Sequence, residues 1–158
     1  MDTIRSLDLI ASFRAPACMD NWEQFNAFIE TQAGLNLGPG KQNYNLRLAC
    51  EEIISNVIRH AGDVDPPRPV SLELRSLVSS LGGRRCDLII ELIDDGPFFD
   101  PCFDQERRID KDLEAADRPI GGLGLFLVQQ SVDHAGYLWA DGSNCYRLTV
   151  HLDPSLAT

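Results

Sequence analysis

The chain has 158 residues, 44% of them hydrophobic and 24% charged, which suits an ordinary globular fold with a core of its own. Its net charge of −10 argues against nucleic acid or an anionic membrane surface as a partner, because both are bound through clustered Lys and Arg. The five cysteines, Cys18, Cys50, Cys86, Cys102 and Cys145, are widely spaced and form no C-x-x-C pair, so they predict free thiols rather than a disulfide framework or a zinc site.

Residues 4–14 alternate loosely between apolar and polar and predict a strand, ended by Ala15-Pro16. From residue 19 to about 35, Trp22, Phe25, Phe28 and Ile29 recur at helical spacing, with Asp20 as the expected N-cap. Glycines and a proline around residues 38–40 break the chain. A second helix is predicted over residues 40–60, with Leu46, Leu48, Ala49, Ile53, Ile54, Val57 and Ile58 on its apolar face and Ala61-Gly62 closing it. Residues 63–69 are a proline loop. Residues 70–80 and 86–93 are β-rich and joined through Gly82-Gly83, a hairpin signal, and the second of them is apolar enough to be central.

Residues 94–120 show no period, and a loop this long reads as a lid, placed at residues 97–120. Residues 121–135 read as a glycine-rich start followed by a helix. Strands at residues 137–140 and 145–152, with Asp141-Gly142-Ser143-Asn144 turning between them, complete the order. Strands joined by hairpins predict a single α+β domain over residues 1–158, a two-layer sandwich whose mixed, mainly antiparallel sheet carries its helices on one face. No apolar stretch follows a basic start and none is long enough to span a bilayer, so a cytoplasmic location is expected.

Three segments can carry chemistry. Glu52 and Asn56 stand at i and i+4 on the second helix, with Cβ atoms roughly 6 Å apart, and both offer the hard oxygens that Mg²⁺ prefers. Taken alone, the pair also fits an exposed helical face, and His60 one turn further fits a structural role. Asp94-Asp95-Gly96-Pro97 follows an apolar strand, where Asp94 can accept a hydrogen bond from an exocyclic amine and Gly96 admits a planar base; it also fits a tight turn. Gly121-Gly122-Leu123-Gly124-Leu125 exposes backbone N–H groups at a helix start, a phosphate cradle or simply a flexible beginning. It is neither G-x-x-x-x-G-K-[ST] nor G-x-G-x-x-G. Arg107, Arg108, Lys111 and Arg118 lie in the acidic loop before it and suit either triphosphate oxygens or a solvated surface.

The order of these segments resembles the Bergerat ATP-binding fold shared by DNA gyrase, heat-shock chaperones and sensor histidine kinases, the GHKL superfamily, over residues 46–152. The wording is most similar to the anti-sigma-factor serine/threonine protein kinases: EEIISNVIRHAG resembles their N box, DDGPFFDP their first glycine box and GGLGLFLVQQSVD their second. The resemblance implies ATP and Mg²⁺ as cofactors, Glu52 as general base toward an acceptor hydroxyl, and Asn56 as Mg²⁺ ligand. It implies that Asp94 takes the adenine amine beside Gly96, and that Gly121, Gly122, Leu123, Gly124 and Leu125 line the phosphates. It further implies a transcription-regulating kinase that phosphorylates a small antagonist protein, binds a sigma-factor-like partner and suggests a homodimer. The alternative is a non-catalytic ATP-binding switch module that selects protein partners. Phe98 departs from the D-x-G-x-G form of the first glycine box common in the superfamily.

Overall fold

The computed structural model describes residues 4–103 and 122–152, with side chains from residue 124 onward in the second stretch. Strand β1 (Arg5–Pro16) leads through a 3-10 turn (Met19–Asn21) into helices α1 (Trp22–Leu37) and α2 (Lys41–Ala61). Strands β2 (Ser71–Leu81) and β3 (Arg84–Asp94), helix α3 (Gly122–Ser131), and strands β4 (His134–Ala140) and β5 (Ser143–His151) follow. The fold is α+β, as the element order predicts. Among the described residues no helix is long and apolar enough to cross a membrane.

The five strands form one sheet in the order β1-β2-β3-β5-β4, so the apolar β3 is indeed central. The expected mixed sheet needs correction: all four ladders are antiparallel. The crossover through α3 brings β4 back in the direction of β3, but β5 lies between them, so the two never pair. Both hairpins turn on two residues with positive φ, Gly82 (59°) with Gly83 (80°) and Asp141 (54°) with Gly142 (74°). That geometry matches the right-handed twist of the flanking strands, and it explains why Gly-Gly and Asp-Gly stand there.

Alternate strand residues face the helices. Leu72, Leu74 and Val78 of β2, Leu88, Ile90 and Leu92 of β3, and Tyr146, Leu148 and Val150 of β5 form one core with Phe25 and Ile29 of α1 and Leu46, Ile53 and Ile54 of α2. The opposite face is mixed: Leu77 and Ile89 pair there and are buried, and the Glu91 carboxylate sits between Arg75 (3.6 Å) and Arg147 (2.8 Å). Cys50 is fully buried in the core, and burial raises its thiol pKa well above the ordinary value.

Two local expectations are revised. Asp20 does not cap α1: it lies inside the 3-10 turn, which moves the α-helical start to Trp22 and leaves Asn21 at the cap position with no side-chain cap bond. The amide of Asn21 instead donates to the Pro16 carbonyl at 2.9 Å. Helix α3 ends at Ser131 rather than residue 135, because Asp133 N–H donates to the Thr149 carbonyl (3.0 Å) and residues 134–136 pair with β5.

Leu92 is fully buried two residues before Asp94. Leu92→Ala is expected to cost roughly 2–5 kcal/mol, read as a lower urea midpoint at unchanged slope. A loss below about 1 kcal/mol would show that the core closes over the missing methyls.

Candidate functional site

Helix α2 positions the first group of side chains. Its buried residues, Leu46, Ala49, Cys50, Ile53, Ile54 and Val57, fix its rotation on the sheet. Glu52, Asn56 and His60 then follow one another along one side at intervals of four residues, spanning about 12 Å of helix axis. Glu52 is half-buried and Asn56 is buried. The Asn56 side-chain oxygen accepts a hydrogen bond from Nη2 of Arg59.

The start of α3 lies against Glu52. A Cβ built on Gly124 would meet Glu52 Oε2 and lie 3.2 Å from its Cδ, so a side chain there would have to displace the Glu52 carboxylate. Gly122 and Leu123 form the first turn of the same helix. Leu125 sends its side chain into the core, which leaves only its backbone for any ligand. Gly121 and the loop cations Arg107, Arg108, Lys111 and Arg118 lie outside the described residues, as does the lid beyond residue 103.

The end of β3 supplies the second group of side chains. Asp94 and Asp95 are adjacent in sequence but do different work. Asp95 Oδ1 accepts from Ser71 N–H (2.8 Å) and its carbonyl from Arg68 Nη2 (2.7 Å), which ties it to the start of β2. Asp94 is buried, and its Oδ1 accepts from Gly96 N–H (3.0 Å) and from Asn144 Nδ2 (3.0 Å). Among the described residues no group donates to its Oδ2. Burial raises the Asp94 pKa above the usual carboxylate range, while the Asn144 and Gly96 bonds and nearby His60 pull it the other way. Gly96 leaves no room for a side chain: its Cβ would lie 2.9 Å from Asp94 Oδ1 and 3.4 Å from Val70 Cγ1.

His60 links α2 to this end, its ring 4.6 Å from that of Phe99. Phe98 turns to β4, edge-on to Trp139 at 5.4 Å and to Tyr137 at 6.3 Å. The residue in the glycine-box position that departs from D-x-G-x-G is therefore held by an aromatic cluster on β4. Asn144 and Arg59 were not visible as site residues in the sequence. Asn144 looks like a turn residue there, and only the β3–β5 register sets it opposite Asp94.

The structure thus sets Glu52 against Gly124 and brings Asp94, Gly96 and His60 together, with Asn56 between Glu52 and His60 on α2. The Asp94 acceptor and the glycine-lined start of α3 stand toward opposite ends of this α2 face.

The chain is similar to the serine/threonine-protein kinase BtrW of Bordetella bronchiseptica, 27% identical over 111 residues that cover 70% of this chain and 72% of that protein. Residues 16–150 match the histidine kinase-like ATPase domain, a span that takes in every site segment described above. The resemblance read from the three motifs is borne out, and with it an ATP-binding, kinase-like domain. The chain belongs to the histidine kinase-like ATPase domain family.

Proposed function

We propose that this chain binds Mg·ATP in a trough between α2, the end of β3 and the start of α3 and transfers the γ-phosphoryl group to a Ser or Thr hydroxyl of a small antagonist protein, acting as an anti-sigma-type regulatory factor. The residues present fit such a ligand. Gly96 packs closely against Asp94 and Val70, Gly124 packs against the Glu52 carboxylate, and Asp94 presents an acceptor of the kind an adenine amine needs. Asp94 would take the amine and Gly96 would lie beside the base. Gly121, Gly122, Leu123, Gly124 and the Leu125 backbone would line the phosphates. Asn56 offers an amide oxygen that already faces a cation, Arg59, and would hold Mg²⁺. Magnesium bound there supplies neutralisation of phosphate charge.

The observation that carries the kinase reading is the placement of Glu52. Its carboxylate lies at the glycine end of the trough, where the phosphates would be, and not at the base end. Nucleotide binding does not need a carboxylate beside phosphates, since like charges repel. A general base does: Glu52 can accept the proton of an incoming hydroxyl as the new O–P bond forms. The match to a serine/threonine-protein kinase supports the same choice of acceptor.

We further propose a single domain over residues 1–158 with a lid at residues 97–120. The proposed setting is cytoplasmic, with a sigma-factor-like partner and a homodimer. The test of function is transfer of label from γ-labelled ATP to proteins of the source cell. The wild-type chain is expected to label a small protein on Ser or Thr, and Glu52→Gln to label nothing. ATP binding without labelled protein would favour the switch module.

The close contact at Gly124 gives a second test. Gly124→Ala is expected to push the Glu52 carboxylate aside and to lower the transfer rate by about 100-fold, the usual result of a displacement near 1 Å. The far-ultraviolet circular dichroism should be unchanged. A variant with the wild-type rate would show that Glu52 need not stand where the structure places it.

A further inference from the structure

Asn144 opens β5 directly across from Asp94 and is 1% exposed. Its amide is fully engaged. The oxygen accepts from Phe99 N–H (3.0 Å) and from the Tyr137 hydroxyl (2.6 Å), and Nδ2 donates to Asp94 Oδ1 (3.0 Å) and to the Pro97 carbonyl (2.8 Å). These partners decide which way round the amide sits. Phe99 N–H can only donate, so the amide oxygen must face it, and the Pro97 carbonyl can only accept, so the NH₂ must face that. The NH₂ has no alternative to donating toward Asp94.

Gly96 N–H donates to the same Asp94 oxygen. Two donors on Oδ1 favour the ionised carboxylate and leave Oδ2 as an acceptor. An acceptor at that point takes an exocyclic amine and repels a carbonyl.

We propose that Asn144 is the positioning residue for base selectivity: by fixing Asp94 as an acceptor, it makes the site take a base with an exocyclic amine and refuse one with a carbonyl there. This rests on the nucleotide reading of the trough. The groups around Asp94 agree. Asp95 beside it raises its pKa, and His60 from α2 lowers it. Tyr146 of β5 and Tyr137 of β4 also feel its charge: burial and then Asp94 shift the Tyr146 phenol upward, and burial, then Asp100 and Asp94, shift that of Tyr137, so both stay neutral. Asp94 carries a raised pKa even with Asn144 in place, so it gains a proton as pH falls. Protonated, its O–H would donate to a carbonyl instead. Removing the Asn144 donor would move that change to higher pH.

The test compares ATP with inosine triphosphate, which carries a carbonyl in place of the adenine amine. Affinities are measured by calorimetry from about pH 5 to about pH 8. The wild-type protein is expected to prefer ATP by about tenfold or more near neutrality, the usual worth of a hydrogen bond to a charged group. Asn144→Leu should reduce that preference by about tenfold and raise the pH of half-lost ATP binding by about one unit. If the leucine variant fails to fold, Asn144→Asp makes the same test. It keeps an oxygen toward Phe99 and Tyr137, and sets a second carboxyl against Asp94 so that the two share a proton.

Equal losses for ATP and inosine triphosphate, with an unmoved pH profile, would reduce Asn144 to a structural residue and overturn the proposal. Failure of the wild-type protein to bind either nucleotide would remove the nucleotide reading itself, and this inference with it.

Discussion

Asp94→Asn is expected to lower ATP affinity by about 100-fold or more and to leave the fold intact. In the variant, the amide oxygen can keep the bonds from Gly96 N–H and Asn144 Nδ2. Its NH₂ then occupies the place of Oδ2 and meets the adenine amine donor to donor. The loss combines a hydrogen bond to a charged group, about 1.5–3 kcal/mol, with an unsatisfied buried donor, about 1–3 kcal/mol. Stability should move the other way. Burial raises the folded-state pKa of Asp94, so this group favours folding at low pH and loses that contribution as pH rises through the raised value. The neutral asparagine carries no such cost at neutral pH. Its urea midpoint should equal or exceed that of the wild type near neutrality, with the difference vanishing below about pH 3.9, the ordinary aspartate value. A variant that bound ATP as the wild type does would exclude Asp94 as the base acceptor.

Glu52→Gln is expected to lower phosphoryl transfer by about 10²–10⁴-fold, the usual contribution of a positioned general base, with ATP affinity kept or tightened because a like charge beside the phosphates is removed. Glutamine has the same shape and can keep its place under Gly124, but it does not accept the hydroxyl proton. A lost rate with kept affinity separates a catalytic role from a packing role, since misplacing α3 would weaken the phosphate end as well. Single-turnover transfer at saturating ATP is the measurement. Full activity in the glutamine variant would remove Glu52 from the chemistry.

Much of the fold could be read from local patterns. The apolar run in residues 86–93 and the apolar face from Leu46 to Val57 are set by which sides of an element are covered, and β3 and α2 lie where those patterns place them. The Gly-Gly and Asp-Gly turns could be read because positive φ restricts residue choice. What escaped depends on pairing at a distance. Nothing local to His134 says that it begins a strand; its partner Thr149 does. Asp20 looks like a cap until the turn that precedes Trp22 is seen.

The site divides in the same way. Glu52 and Asn56 are related by helix geometry alone, so four-residue spacing is enough to put them on one face. Asp94 was singled out by its strand-end position, but the sequence does not show why it faces the trough while Asp95 does not. That follows from the Ser71 N–H and Arg68 contacts of Asp95. Asn144 is 50 residues from Asp94 in sequence and reaches it only because β5 inserts beside β3. Leu125 was grouped with the phosphate residues by its place in the glycine segment, and its side chain proves to be core.

The central claim is that the trough between α2, the end of β3 and the start of α3 binds a nucleotide. Calorimetric titration of ATP and of ADP into the wild-type protein, with and without Mg²⁺, tests it most directly. The account predicts saturable ATP binding that tightens with Mg²⁺ and is lost in Asp94→Asn. Absence of binding by either nucleotide, with or without Mg²⁺, in a protein that is folded by circular dichroism would contradict it.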